Sequence, residues 1–397
     1  MTLQEDPKDI VVVGAARTPQ GRMLGALAKK SSVDLGAETI KAVLERSGVA
    51  AGDVDYVLMG QVVQAGSGQN PAKQSAVAAG IPMNVPAMTV NKVCLSGLDA
   101  VINASRLIRL GDASIVVAGG QESMTNAPHI AAGVRAGKGY GSLALQDSLE
   151  RDGLSDPNEG TAMGLETDEG NAERGITREE QDEIAARSHQ LAEAATNEGV
   201  FAEEIVPIEV KGRKETVTVT ADEGIRPGTT AEGLAKLRPA FVKDGTITAA
   251  SASQISDGAA AVVLTTRENA ETKGLEILAT LGEYGQTAGP DTKLHSQPSQ
   301  ATAAALQKAG WEAGDLDFLE INEAFASVVA QSIKDLDYPL DKTNIHGGGI
   351  SLGHPIGASG ARLVVHAAHE LKRRGSGKAA VSLCGGGGQG DALLLWR

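Results

Sequence analysis

The sequence predicts an α/β protein made of a duplicated, helix-flanked sheet unit, with a polar segment inserted into the first half. Three observations predict this. Short β-branched runs ending in glycine alternate with helix-period stretches along most of the 397 residues. Gly48-Val49-Ala50-Ala51-Gly52-Asp53-Val54-Asp55-Tyr56 recurs as Gly310-Trp311-Glu312-Ala313-Gly314-Asp315-Leu316-Asp317-Phe318, and Ser96-Gly97 recurs as Ser359-Gly360. Between Gln121 and about Thr248 the texture changes to polar, glycine-rich and loop-like.

Ile10-Val11-Val12-Val13-Gly14 is a buried-strand run, and no G-x-G-x-x-G follows it, which excludes a dinucleotide fingerprint. Asp34 to Ser47 is an amphipathic helix, 54–60 a second strand and Gln74 to Ala79 a short helix. Leu98, Val101, Ile102, Ser105 and Ile108 recur at helical spacing, so a helix begins near Ser96 or Gly97. Ser114 to Gly120 is a further strand. Each repeat-related helix runs to a basic residue and glycine, Arg109-Leu110-Gly111 and Arg373-Arg374-Gly375, and then to a glycine-ended strand. The inserted segment holds one clear helix, Arg178 to Asn197, and an exposed strand at Thr216 to Thr220. The first half closes with 246–250 and the apolar run Ala259 to Thr265. The halves are then 1–120 with 249–275, and 276–397, around an insertion at 121–248.

Hydrophobic residues make up 42% of the chain but aromatics only 3%, so Ala, Val, Leu and Ile must build the core. A net charge of −14 argues against a nucleic-acid surface. Lys211, Arg213, Lys214, Arg226, Lys236, Arg238 and Lys243 form a locally basic stretch, either a docking place for an anionic ligand or a solvated surface. No apolar run is long enough to span a bilayer. The polar, acidic start resembles neither a secretory leader nor a transit sequence, which makes a cytoplasmic protein the default. Two cysteines, Cys94 and Cys384, form no disulfide framework and no zinc spacing.

Cys94 sits at the mouth of a helix N-terminus, where unpaired N–H groups favour a thiolate; a small buried apolar residue is the other reading of a free cysteine. Asn322-Glu323-Ala324-Phe325 stands at the carboxyl end of a strand, where open α/β sheets bind ligands. His354 lies in a small-residue loop before a helix, and the repeat places that loop opposite the Cys94 loop, so an imidazole meets a thiol if the halves pack about a pseudo-two-fold axis. Cys384-Gly385-Gly386-Gly387 follows a strand and bares backbone N–H groups suited to an oxyanion.

In combination, Asn91-Lys92-Val93-Cys94-Leu95-Ser96-Gly97, Asn322-Glu323-Ala324-Phe325, Gly353-His354-Pro355-Ile356-Gly357-Ala358-Ser359-Gly360 and Cys384-Gly385-Gly386-Gly387 closely resemble the thiolases, nearest the short-chain acetyl-CoA acetyltransferases. The resemblance implies two βαβαβαββ halves in a layered αβαβα core, with an inserted loop domain for coenzyme A docking and oligomerisation. It implies reversible Claisen condensation of two acetyl-CoA, with Cys94 as acylated nucleophile, His354 as its activator, Asn322 as holder of an oxyanion-hole water and Cys384 as acid/base. The N–H groups of Cys94 and Gly386 would form a second oxyanion hole. By position, Arg226 and Ser253 resemble coenzyme A contacts, His129 a loop-domain histidine near the site, and Met163, Phe241 and Phe325 the lining of a short acyl pocket. No metal and no permanently bound cofactor is implied; coenzyme A enters as substrate, and relatives are dimers or tetramers. A degradative 3-ketoacyl-CoA thiolase of broader chain length, a decarboxylating condensing enzyme and a non-catalytic thiolase-like protein are the alternatives. Three departures touch this reading: Ala162 before Met163, with Glu166-Thr167-Asp168 behind it, Gln297-Pro298-Ser299-Gln300, and Gly385 in place of a larger apolar residue, which is expected to loosen the second oxyanion loop.

Overall fold

The computed structural model describes residues 5–397; the first four residues of the polar start lie outside the described residues. The main sheet runs, edge to edge, Phe318–Ile321, Lys378–Gly385, Gln389–Trp396, Ala279–Ala288, Ile10–Arg17, Ser256–Thr266, Val116–Ser123, Tyr56–Gly60 and Ala87–Val90. The two halves meet where Val11 pairs Thr280 and Val12 pairs Ala279. Outward from that junction each half repeats one order: two antiparallel pairings, then a parallel one. The first half adds a further parallel strand at Ala87–Val90, and the second has only a parallel bridge, Leu319 to Thr343, in its place.

Side-chain alternation along the strands sorts the core into layers. Ile10, Val12, Val381 and Leu395 face a central cluster with the helices Ser96–Leu110 and Ser359–Arg374. Val11 and Val13 point the other way, onto the helix Ser32–Ser47. Ala380 and Leu394 point onto the helices Gln297–Ala309 and Ala326–Leu336. Five layers result, with the repeat-related helices in the middle. At Gly97 an added Cβ would lie 2.9 Å from the Ala361 nitrogen, and at Gly360 one would lie 2.4 Å from the Leu98 nitrogen. This reciprocal close approach admits no side chain, and it sets the N-terminus of each central helix against the other.

The chain leaves the sheet after Ser123 and rejoins it at Ser256. The helix Arg178–Asn197 and the exposed strand Thr216–Val219 stand where the sequence places them. A second helix, Met163–Glu173, escapes the sequence pattern because its buried face is Gly164, Thr167, Asp168, Gly170 and Asn171, with no apolar stripe. The stretch 246–250, expected to help close the first half, is a turn rather than a strand, because Asp168 Oδ1 accepts from Thr246 N (2.7 Å) and Ile247 N (3.1 Å).

Arg17, fully buried on the first strand, ties the intervening chain to the core. It donates to both carboxylate oxygens of Asp222 (2.7 and 2.9 Å) and to Glu204 (2.8 Å). Glu204 also bonds His366 on the second central helix at 2.6 Å.

Candidate active site

Cys94 is held by a strained turn, not by the helix itself. The helix starts at Ser96 with Leu95 as its N-cap. Val93 adopts φ 50, a left-handed conformation that a β-branched side chain rarely takes. Asn91 Oδ1 accepts from Val93 N (3.1 Å), Ser96 Oγ donates to Val93 O (2.6 Å), and Lys92 N donates to Ser96 Oγ (2.9 Å). The turn buries the sulfur among Val62, Val63, Met124, Leu149 and Ile356, with the N–H groups of Gly386 and of Cys94 itself directed at it.

That burial overturns one expectation. Loss of water pushes the Cys94 thiol up to about 12, the nearby Glu122 adds to the rise, and the two N–H groups offset only part of it. Cys94 therefore rests as a thiol, not as a helix-stabilised thiolate. Alkylation of Cys94 by iodoacetamide, followed by peptide mass spectrometry, should accelerate about tenfold per pH unit from pH 7 to 9, as a thiol far below its pKa requires. A rate already level in that range would show a lowered pKa instead.

His354 is buried, and its Nδ1 lies 2.6 Å from Ser359 Oγ, whose hydroxyl donates to Pro355 O at 3.0 Å. With its one proton so used, Ser359 must accept from Nδ1–H, which leaves Nε2 as the basic nitrogen. Asn322 Nδ2 stands 3.3 and 3.4 Å from the two ring nitrogens. Burial, reinforced by the charge of Arg362, pushes His354 down to about 3, so the imidazole is neutral and able to take a proton. Cys384 closes the strand Lys378–Gly385 and packs with Leu294, Ala324, Val328, Met163 and Phe325. Burial raises its thiol well above the usual range, and the neighbouring Cys94 adds to this. Two neutral thiols thus lie side by side, and a neutral imidazole meets a carboxamide, with Cys94, Asn322 and Cys384 all standing at or just beyond the carboxyl ends of strands.

Met163 and Phe325 pack on Cys384, and Phe241, exposed on its outer side, reaches the group through Phe325. The rings of Phe241 and Phe325 meet edge to face at 6.1 Å. Gly164 gives Phe241 its seat, since an added Cβ would lie 2.2 Å from the ring. Met163 Sδ lies 3.1 Å from where a Cβ on Gly386 would sit. Beside Met163, Gly386 and Val93 a cavity of about 1160 Å³ opens towards Asp147, Glu150 and Arg151. Ser253 is half-buried and donates its N–H to Ala324 O (2.9 Å), next to Phe325. Arg226 is exposed beside His189. His129 is not drawn in: it is exposed on a two-residue strand paired with Gln146–Asp147. The basic stretch is not one patch either. Its hairpin packs through Ile208 and Val210 on Leu27 and Leu35, whereas Leu234 packs with Ile184.

The departures have structural explanations. Gly385 does not loosen its loop, because Leu95 fills the space: an added Cβ would lie 2.6 Å from Leu95 Cγ. Gln297 accepts from Thr287 Oγ1 (3.1 Å) and donates to Gly289 O (3.0 Å), so it braces the start of its helix. Ala162 is an exposed N-cap that makes no side-chain cap. The sequence reading also misses Glu122. This buried carboxylate accepts from Val62 N (2.9 Å), Val63 N (3.2 Å) and Gly357 N (3.0 Å), clasping the loop beside Cys94 to the His354 loop. Burial raises its pKa to about 8 despite those donors. The one charged residue of the strand Val116–Ser123, just past its glycine pair, was the available signal.

The chain matches the family description "Thiolase, N-terminal domain" over residues 10–268 and "Thiolase, C-terminal domain" over 275–397. It is 53% identical to a probable acetyl-CoA acetyltransferase of Mycolicibacterium smegmatis, across 98% of this chain and 100% of that one. It is 49% identical to an acetyl-CoA acetyltransferase of Cupriavidus necator, across 98% and 99%. Among solved structures, the acetyl-CoA acetyltransferase of Bacillus anthracis superposes with a TM-score of 0.95 at 40% identity. Human mitochondrial 3-ketoacyl-CoA thiolase superposes at 0.93 and 38%; both alignments cover 98% of each chain.

Proposed function

This chain belongs to the thiolase family, and on that premise we propose that it condenses two acetyl-CoA to acetoacetyl-CoA and free coenzyme A, and runs the reverse thiolysis. The observation that supports the reading best is the pair of neighbouring buried thiols, one with the Gly386 N–H directed at it, together with the contact between His354 and Asn322. The Cys94 proton passes to His354 Nε2 as the sulfur attacks the acetyl carbonyl, whose developing oxyanion meets the N–H groups of Cys94 and Gly386. The C–S bond to coenzyme A breaks, and the departing thiolate takes the Cys384 proton. The Cys384 thiolate then removes an α-proton from the second acetyl-CoA. Its enolate oxygen is held by the protonated His354 and a water on Asn322. The carbanion attacks the acetyl group, the Cys94 C–S bond breaks, and His354 returns its proton to Cys94. Both thiols end as they began, which suits a site where neither is ionised at rest.

Arg226 and Ser253 are assigned to coenzyme A, with the intervening 121–248 segment as the docking face. Phe325 on Cys384, backed by Phe241, favours an acetyl-sized group. The homologues named acetyl-CoA acetyltransferase support the same substrate. A dimer or tetramer in the cytoplasm fits the family; no helix among the described residues is long and apolar enough to cross a membrane. The cavity beside Met163 and Gly386 favours a second reading, in which longer 3-ketoacyl groups are cleaved. Coenzyme A-dependent cleavage of acetoacetyl-CoA and of 3-ketohexadecanoyl-CoA separates the two. Acetoacetyl-CoA should be cleaved at least about tenfold faster in kcat/KM, the equivalent of roughly 1.4 kcal/mol of discrimination. Equal rates would assign the protein to the broad-chain class.

A further inference from the structure

Arg362 lies on the second central helix, one turn beyond Ser359, and is fully buried. Its charge helps to hold His354 neutral, but it forms no hydrogen bond to that ring among the described residues, and the mechanism above does not use it. Its Nη2 donates to Asn322 Oδ1 at 3.5 Å, while its Nε and Nη1 find no hydrogen-bond partner among the described residues. Glu320, two residues before Asn322 on the same strand face, has its carboxylate 4.0 Å from Nη1, with both oxygens unpartnered. A buried guanidinium normally closes on its carboxylate in a bidentate fork. Here the fork stays open and the one protein acceptor taken is the catalytic carboxamide.

A carboxamide has two ends, and its flip is set by its partners. Guanidinium groups only donate, so Oδ1 must face Arg362, and Nδ2 is thereby turned to His354, at 3.3 and 3.4 Å. His354 Nε2, left without a proton by the Ser359 bond, accepts only from the N–H end and so favours the same flip from the other side, whereas Asn322 N donates to Ser382 O whichever way the amide points. We propose that Arg362 is a positioning residue for the thiolase reaction, fixing the orientation of the Asn322 carboxamide so that its N–H face serves His354 and the enolate-side oxyanion hole. Glu320 supplies a counter-charge far enough away to leave that contact intact. The proposal rests on the role given to Asn322 under the proposed function.

The test is a double-mutant cycle on kcat for acetoacetyl-CoA thiolysis, with Asn322→Ala and Arg362→Gln made singly and together. Arg362→Gln should lower kcat about 10–100-fold with KM for acetoacetyl-CoA changed less than about threefold, and it should lower kcat less than about twofold further in the Asn322→Ala background. Equal fold-losses in both backgrounds would overturn the proposal, since a merely structural role adds independently. No loss on Asn322→Ala alone would overturn the Asn322 reading itself, and the proposal with it. If Arg362→Gln does not fold, the same cycle is run with Arg362→Lys, which keeps the charge opposite Glu320 and loses the planar donor fork; its outcomes are judged by the same two ratios.

Discussion

Replacing Cys384 by alanine is expected to lower condensation of acetyl-CoA by about 10²–10⁴-fold, the range of a single general acid/base, while Cys94 still takes up an acetyl group. The two half-reactions separate because they depend on Cys384 to different degrees. Acylation needs the Cys94 sulfur, the His354 Nε2 left basic by Ser359 and the N–H groups of Cys94 and Gly386; Cys384 only protonates the departing coenzyme A thiolate, a proton that water can supply in its place, so acylation slows but proceeds. Carbon–carbon bond formation needs a base at the α-carbon, and among the described residues Cys384 is the second thiol at the site. A decarboxylating enzyme has no such need, so retained condensation in Cys384→Ala would move the protein out of the proposed chemistry. The experiment compares steady-state acetoacetyl-CoA formation with a single-turnover burst of released coenzyme A.

The second large effect concerns stability. Arg17→Met should destabilise the protein by about 3–5 kcal/mol, because it leaves the buried Asp222 carboxylate without its cation and Glu204 with His366 alone. Both Asp222 and Glu204 have fully buried side chains, and Arg17 also stacks 5.2 Å above the Phe201 ring. The measurement is the denaturant midpoint of the variant against the parent, followed across pH. Burial opposes ionisation of Glu204, but the charges of His366 and Arg17 outweigh it and hold its carboxyl well below the usual range. Such a group stabilises the fold fully above its unfolded pKa, about 4.3, and loses that contribution as pH falls towards the depressed value. The gap between parent and variant should therefore be complete at pH 7 and narrow in acid. A gap under about 1 kcal/mol at pH 7 would show that the network is not what joins the intervening chain to the sheet.

Much of the architecture was legible because it is written twice. The Gly48 and Gly310 runs both close a helix with a left-handed glycine and both open a 3-10 turn, Ala51–Asp53 and Ala313–Asp315. The strand runs were apolar on both faces, as sheets covered by helices on each side require. The helix Met163–Glu173 was illegible because its buried face is glycine and polar, held by Asp168 and Asn171 rather than by an apolar stripe. At the site, residue types and their loops could be read in order, but ionisation could not. Cys94 reads as activated in one dimension; only the packing of Val62, Met124 and Ile356 around it shows that desolvation outweighs the N–H groups. Positioning residues were missed for a related reason. Glu122, Ser359 and Arg362 act through partners distant in sequence or through a single tautomer or flip, and no local pattern records that. The mutual fit of Leu95 and Gly385 is of the same kind: one residue looked like a departure until its neighbour from the other half was in view.

The most direct test of the acyl-enzyme is to incubate Cys384→Ala with acetyl-CoA, quench in acid and map the acetyl group by peptide mass spectrometry. One acetyl group, on Cys94, labile to free coenzyme A and absent from Cys94→Ser in the same background, is the expected result. No acetyl group on Cys94, or one on another residue that coenzyme A still removes, would contradict it.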